Sequence, residues 1–233
     1  MLFEFKNNLV HGHLVKRYKR FLADVRLDNG DIITAHCTNS GSMISCIEEG
    51  AEVYLTHHDD PMRKTQYTWE MIKIGGNWVG INTSNPNIIA FNAISGSKIR
   101  SLKAYTQVRR EITVGDSRID IMAENIFEKC YIEVKNVTYR EGRYALFPDA
   151  VTSRGTKHLN TLMNLKMEGH RAIMLYVIQR SDVEIFAPAK LIDPVYAQTL
   201  HAAYNKGVEI LPLMMTVTPL GINLKKELPF ELD

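Results

Sequence analysis

Three cysteines, Cys37, Cys46 and Cys130, are all that 233 residues contain, and no two of them form a C-x-x-C pair. An odd number of widely spaced thiols argues against a disulfide framework and for a reducing compartment. A zinc site built on His36, Cys37 and Cys46 lacks a fourth ligand at finger-like spacing, so buried structural thiols are expected instead. Long apolar runs are missing as well, and no basic segment followed by an apolar core opens the chain. The expectation is a cytoplasmic protein with no membrane attachment. Charge of one sign is not in excess either: 28 Lys+Arg against 26 Asp+Glu leave a formal net charge of +2. That balance is too small to imply a polyanionic partner, so a case for nucleic acid rests on where the cations cluster. No Gly-rich phosphate loop or nucleotide fingerprint stands out, and no helix-turn-helix is legible. Their absence ranks a small-metabolite site last and makes strict base-specific reading hard to derive.

What remains is an ordinary globular composition, 45% hydrophobic and 23% charged, long enough for one large domain or two modest ones. Residues 1–82 read as all-β. A long strand over 14–27 leads through Asp28-Asn29-Gly30, a strong tight-turn signal, into a strand over 31–37. Further strands follow near 51–57 and 68–74, and Gly75-Gly76 returns the chain through 77–82. Five short strands with Gly-containing turns predict a five-stranded barrel like the oligonucleotide-binding (OB) fold. Lys16, Arg17, Tyr18, Lys19, Arg20 and Phe21 interleave four cations with two aromatics, the composition that stacks bases and neutralises phosphates. The plainer reading is a solvated strand edge guarded by cations. Arg63 and Lys64, in a loop, can extend the same basic track.

Residues 83–106 read as a helical connector of two short helices, with a start at Asn85 and a stop at Gly96. From 107 to 233 strands and helices alternate, as in an α/β layer arrangement, so the fold class expected is α+β with two domains. Helices are predicted over about 154–168, capped by Thr152 or Ser153, and over 194–205. In the first of them Arg154, Lys157 and His158 share a face and are candidate phosphate contacts, or else simply its polar side.

The chemistry concentrates between Ser117 and Thr138, where Asp120 is followed by Glu133, Val134 and Lys135 in the pattern D-x(12)-E-x-K. The apolar runs around Asp120 and Glu133 read as neighbouring strands joined by the polar segment 124–129. Period-two alternation puts Glu133 and Lys135 on one face. With Asp120 across from them, two carboxylates and the Val134 carbonyl can share one Mg²⁺ or Mn²⁺, and Lys135 can position a nucleophile or neutralise charge developing on phosphorus. A bare E-x-K on a strand is also a common exposed ion pair. Asp149, after Pro148, is a further acidic candidate or a turn residue. Gln179, a possible accessory site residue, and Arg180, a candidate nucleic-acid contact, end an apolar strand at its carboxyl edge, where α/β sites collect.

The blocks V-K-R-Y-K-R-F-L-A-D-V, G-S-M, V-G-I-N-T, S-R-I-D, E-V-K-N-V-T, F-P-D-A-V-T-S-R-G-T-K-H-L, G-H-R-A, Q-R-S-D and I-D-P-V-Y occur in one order along nearly the whole chain. In them the chain resembles the sugar fermentation stimulation protein A (SfsA) family. It reads H-C-T-N-S-G-S-M around Cys37, where the family pattern is usually H-C-P-N-[TP]-G-S-M; Thr38 and Ser40 depart from it. The resemblance implies an OB-like barrel followed by a PD-(D/E)xK nuclease-like domain, DNA binding, and a loosely defined role in sugar metabolism. It implies metal and water at Asp120, Glu133 and Lys135, with Glu111 as the nearest upstream glutamate to complete such a site. Ile119 stands where the motif's name has proline. Two readings follow: a metal-dependent nuclease acting on DNA or RNA largely without regard to sequence, or a non-catalytic DNA-binding regulator with the same pocket idle. A sugar-binding protein ranks third. Oligomeric state is left open by the residues.

Overall fold

The computed structural model describes residues 1–5, 9–115 and 117–232. In chain order the strands begin with β1 (Phe3–Glu4), β2 (Leu9–Tyr18), β3 (Leu22–Leu27), β4 (Ile32–His36), β5 (Glu52–His57), β6 (Tyr67–Ile74) and β7 (Asn77–Gly80). Helix α1 (Asn85–Ser95) precedes β8 (Gln107–Val114), β9 (Ser117–Glu124), β10 (Lys129–Val137), β11 (Tyr139–Glu141) and β12 (Tyr144–Phe147). Then come α2 (Ser153–Met167), β13 (Arg171–Ile178), β14 (Ile185–Pro188), α3 (Pro194–Asn205), β15 (Glu209–Thr218) and β16 (Gly221–Glu227).

The first sheet has six strands in the order β4-β3-β2-β5-β6-β7, and a parallel pairing of Ala35 with Tyr67 and His36 with Thr68 curls β4 round to β6. The sixth strand arises because the strand expected over 14–27 is two. The chain reverses between Tyr18 and Leu22, with Lys19 and Arg20 at φ of 49° and 64°. Positive φ at a tight hairpin usually calls for Gly or Asn, so no turn was signalled there. Here the Arg17 guanidinium ties the turn instead, donating to the Arg20 carbonyl at 2.6 and 3.0 Å. Leu14, Val25, Leu55 and Trp69 fill the interior of this sheet, and Cys37, Cys46 and Cys130 are all free and buried.

The second sheet runs β1-β16-β15-β13-β10-β9-β8, with β10, β13 and β15 parallel at its centre. Strands buried on both faces need apolar residues at every position, and β13 is such a run. In β10 alternation sorts the faces. Ile132 and Val134 join the core under α1, whereas Tyr131 and Val137 join the core under α2 and α3. Thr152 caps α2 by accepting from the Gly155 N–H at 3.0 Å, and Asp193 caps α3 by accepting from Tyr196 at 2.9 Å. Only one α-helix and a short 3-10 turn, Arg100–Leu102, occupy the segment expected as two helices. Ile89, Ala90, Ala93 and Ile94 bury α1 against the second sheet, so it forms one of that unit's layers. A small third sheet, β11-β12-β14, flanks the α2 side. No helix among the described residues is long and apolar enough to cross a membrane.

Two residues at the end of β13 join the units. Gln179 is fully buried, its carbonyl accepting from the Gly80 N–H at 2.9 Å and its amide donating to Asn136 Oδ1 at 2.8 Å. Arg180, 1% exposed, makes paired bonds to Asp182 at 2.7 and 2.8 Å and donates to the Thr138 carbonyl at 2.8 Å and Ser45 Oγ at 3.3 Å. Its cation is enclosed and satisfied, which corrects the expectation of a nucleic-acid contact there. Removing one partner of a buried pair strands the other charge. Arg180→Ala is therefore expected to cost ~3–5 kcal/mol of unfolding free energy in a urea titration, against under about 0.5 kcal/mol for the surface change Lys64→Ala.

Candidate active site at the fork of the second sheet

Strands β9 and β10 pair from Lys129 with Glu124 to Ile132 with Ile121, and then part. At the parting, Asp120 Oδ2 accepts the Val134 N–H at 2.9 Å, in the place of a strand carbonyl. Its other oxygen accepts from Asn87 Nδ2, in the first turn of α1, at 2.8 Å. On the far side of β9 the ladder is disturbed too. Glu111 sits opposite Asp120 in register but makes no pair with it, and its φ is 58°. The Glu111 carboxylate turns outward to an exposed ion pair with Arg118, away from the cleft, so it does not complete the acidic cluster.

Glu133 and Lys135 project on the α2 side. Glu133 is 1% exposed, and its Oε1 accepts from Lys135 Nζ at 2.8 Å and from His158 Nδ1. Arg154 Nε points at His158 Nε2 from 3.4 Å. His158 Nδ1 also lies 3.0 Å from Lys135 Nζ, so the three side chains meet as one cluster. Both contacts fall on one oxygen of Glu133, and its Oε2 is buried with no partner among the described residues. Burial pushes the Glu133 carboxyl up, but the hydrogen bond from His158 and the charge of Lys135 outweigh it and hold the group below the usual range. Asp120 goes the other way: burial first, then the neighbouring Glu133 charge, raise it against the Val134 N–H, Lys135 and Asn87.

These groups line a cleft of about 520 Å³ between the two units. Arg20, Asn39, Ser40, Gly41 and Thr83 form its wall from the first unit, and Arg154, His158 and Asp149 stand on the other side. Asp149 braces the wall by accepting from the Met43 N–H at 3.1 Å. Arg17 shapes the same loop, donating to the Asn39 and Gly41 carbonyls at 2.9 Å each. Of the basic residues singled out earlier, Arg20, Arg154 and His158 reach the cleft, His158 being buried there against Glu133. Lys16 lies exposed 3.7 Å from Asp24 and over the Tyr18 ring, and the Tyr18 hydroxyl donates to Asp24 at 3.0 Å. Lys19, Lys64 and Lys157 are exposed outside it, and Arg63 is held by the Thr65 carbonyl and Thr68 hydroxyl. Gln179 is buried outside it at the junction. Asn87 is a site residue the residue pattern did not single out; S-N-P-N marks a helix start and says nothing of what that turn faces.

A curled β-sheet joined to an α/β unit, with two acids and a lysine gathered where the central sheet splits, defines a two-unit protein with a composite cleft. Sequence profiles resolve the same two parts: the SfsA N-terminal OB domain matches residues 15–81, and the sugar fermentation stimulation protein RE domain matches residues 84–221. The chain belongs to the sugar fermentation stimulation protein family. A homolog from Geotalea uraniireducens (strain Rf4) is 49% identical over 216 residues, 92% of this chain and 94% of that one. One from Geobacter sulfurreducens is 47% identical over 222 residues, 95% of each chain. The structure of Pyrococcus furiosus SfsA in complex with Ca²⁺ matches with a TM-score of 0.89 at 29% identity, over 99% of this chain and 98% of that one.

The raised Asp120 carboxyl gives a stability prediction with a definite sign. A group whose folded pKa lies above its unfolded value contributes stability at low pH that is lost as pH rises through the folded pKa. Asp120→Asn keeps an acceptor for Val134 and removes the charge beside Glu133. In divalent-free buffer it should stabilise the protein at neutral pH by ~1 kcal/mol and show no gain below the carboxylate range, read by thermal melts across pH.

Proposed function

We propose that this protein is a divalent-cation-dependent phosphodiesterase that cleaves nucleic acid, with Asp120, Glu133 and Lys135 at the reacting centre. The observation that carries the reading is the fork itself: two carboxylates and an ammonium drawn together in a cleft, one buried carboxylate oxygen without a partner among the described residues. A buried, unpaired carboxylate oxygen is costly unless something cationic meets it. Among the described residues no group of three or more His, Cys, Asp or Glu is placed to hold a metal. Mg²⁺ and Mn²⁺ bind through one or two carboxylates and keep several waters, so the pair Asp120 and Glu133 is enough for either. Asp120, Glu133 through Oε2 and the Val134 carbonyl are the groups that would hold it; when bound, the ion supplies Lewis acidity and a more acidic water. The Pyrococcus furiosus relative, solved with Ca²⁺, takes a hard cation of the same oxygen-seeking kind.

The remaining work falls to the chain's own side chains. Lys135 brings a positive charge to the place where negative charge grows on the phosphoryl oxygens. His158 and Lys135 hold Glu133 by one oxygen and so keep the other directed to one task. Arg20 and Arg154 flank the cleft from the two units and can neutralise phosphates on either side of the scissile bond, which orients a strand without reading its bases. The first unit, read as a five-stranded OB-like barrel of β2 to β6 extended by β7, supplies one wall of that track and the exposed Lys16 and Lys19 beside it. Three free buried thiols agree with a cytoplasmic setting.

Incubation of purified protein with single- and double-stranded DNA and RNA plus Mg²⁺ or Mn²⁺ tests the reading. Cleavage of at least one is expected, falling by roughly a hundredfold or more in Glu133→Ala and Lys135→Ala. No cleavage of any, or cleavage unchanged in Glu133→Ala, rejects catalysis. Persistent binding that weakens steeply with salt would then leave a DNA-binding regulator with an idle pocket.

A further inference from the structure

The small sheet β11-β12-β14 has two unlike faces. Its ladders set Tyr139 beside Leu146 and Leu146 beside Ala187, and Glu141 beside Tyr144 and Tyr144 beside Ile185. Alternation puts these six side chains on one face. The opposite face carries Ala145 and Phe186, fully buried in the core under α2 and α3. The six-residue face therefore looks outward, and most of it is ring and methyl surface. A groove of about 460 Å³ passes over Tyr139, Tyr144, Leu146 and Ala187, walled by residues 188–192.

Two observations indicate what lies on it. Tyr139 and Leu146 line both this groove and the acidic cleft, so a ligand chain seated in the cleft runs on to this face without leaving the surface. The rings are also held. The Tyr139 hydroxyl donates to Glu141 Oε2 at 3.2 Å and the Tyr144 hydroxyl to Glu231 Oε2 at 3.0 Å. The Arg143 guanidinium lies 5.4 Å from the centre of the Tyr144 ring, and Lys190 stands exposed at the rim. Aromatic plates fixed on a sheet, with cations beside them, are the surface on which unpaired bases stack while their phosphates are neutralised. Bases in a duplex are stacked on one another and cannot use such a plate.

We propose that the outer face of β11-β12-β14 is a stacking platform for the unpaired bases of a single-stranded nucleic acid whose phosphate lies in the Asp120–Glu133–Lys135 cleft. The proposal rests on the reading of that cleft as a phosphodiesterase centre and adds its substrate class: a strand with unpaired bases next to the scissile phosphate. Tyr144 and Ala187 act at the platform alone, being outside the cleft lining.

Fluorescence anisotropy in EDTA, where no cleavage occurs, tests it with three labelled probes: an oligothymidylate, an abasic deoxyribose-phosphate strand of the same length, and a blunt duplex. Tyr144→Ala is expected to weaken the oligothymidylate roughly five- to a hundredfold and to change the abasic strand and the duplex by less than about twofold. Tyr144→Phe keeps the ring and should bind like the parent. Ala187→Gln, which crowds the floor without adding charge, should repeat the base-selective loss and covers the case that Tyr144→Ala does not fold. Equal losses on the thymidylate and abasic strands in both variants would overturn the platform and leave the face to another occupant, such as a second copy of the chain. If the parent binds none of the probes either in EDTA or with a divalent cation added, the cleft reading falls and the platform with it. If it binds them and Lys135→Ala weakens all three while Tyr144→Ala and Ala187→Gln change none, only the platform falls.

Discussion

The Val134 N–H donates to a side chain, Asp120 Oδ2 at 2.9 Å, where a regular antiparallel ladder would have given it a main-chain carbonyl. Much else in the second unit follows from that substitution. Strand β10 stays paired with β13 through Val137 on one side, while β9 departs after Ile121 on the other. The wedge between them is where Glu133 and Lys135 meet the inner face of α2. A carboxylate that fills a main-chain vacancy is held at both oxygens, by Val134 and by Asn87, so its position is set by the backbone of two elements and by one helix turn. The cost is a second buried carboxylate close to Glu133, an arrangement a sequence selected for stability alone would avoid.

Glu133 divides its two oxygens between structure and chemistry. Oε1 is saturated by Lys135 and His158, and Oε2 has no partner among the described residues. The order Arg154, His158, Glu133 forms a line of donors ending on a carboxylate, and it begins at an exposed arginine on the rim of the cleft.

The local parts of this design are written in local sequence. The two apolar runs around Asp120 and Glu133, the polar link between them, and the caps at Thr152 and Asp193 all act over a few residues, and strands and helices form where these signals put them. Non-local parts were not legible. Nothing near His158 says that its ring faces Glu133, because α2 and β10 meet only through the sheet. Strand β1 is two residues long and takes its partner, β16, from the far end of the chain. The turn at Lys19 and Arg20 lacks Gly or Asn, because Arg17 and the loop at Asn39–Gly41 secure it from outside. Helix α1 reads as a connector by length and position, yet its apolar residues complete a core whose other half lies more than thirty residues onward, in β10 and β13.

Gln179 and Arg180 reach across the junction of the two units to Gly80 and Ser45, and bonds to Asn136, Thr138 and Asp182 within the second unit hold them in place. The walls of the cleft are bolted together at its base, so they cannot swing apart like jaws without breaking buried polar contacts. Whatever enters must fit the gap as it stands. Selection by flexibility, with the visitor deforming and the host holding still, is the consequence of a welded seam.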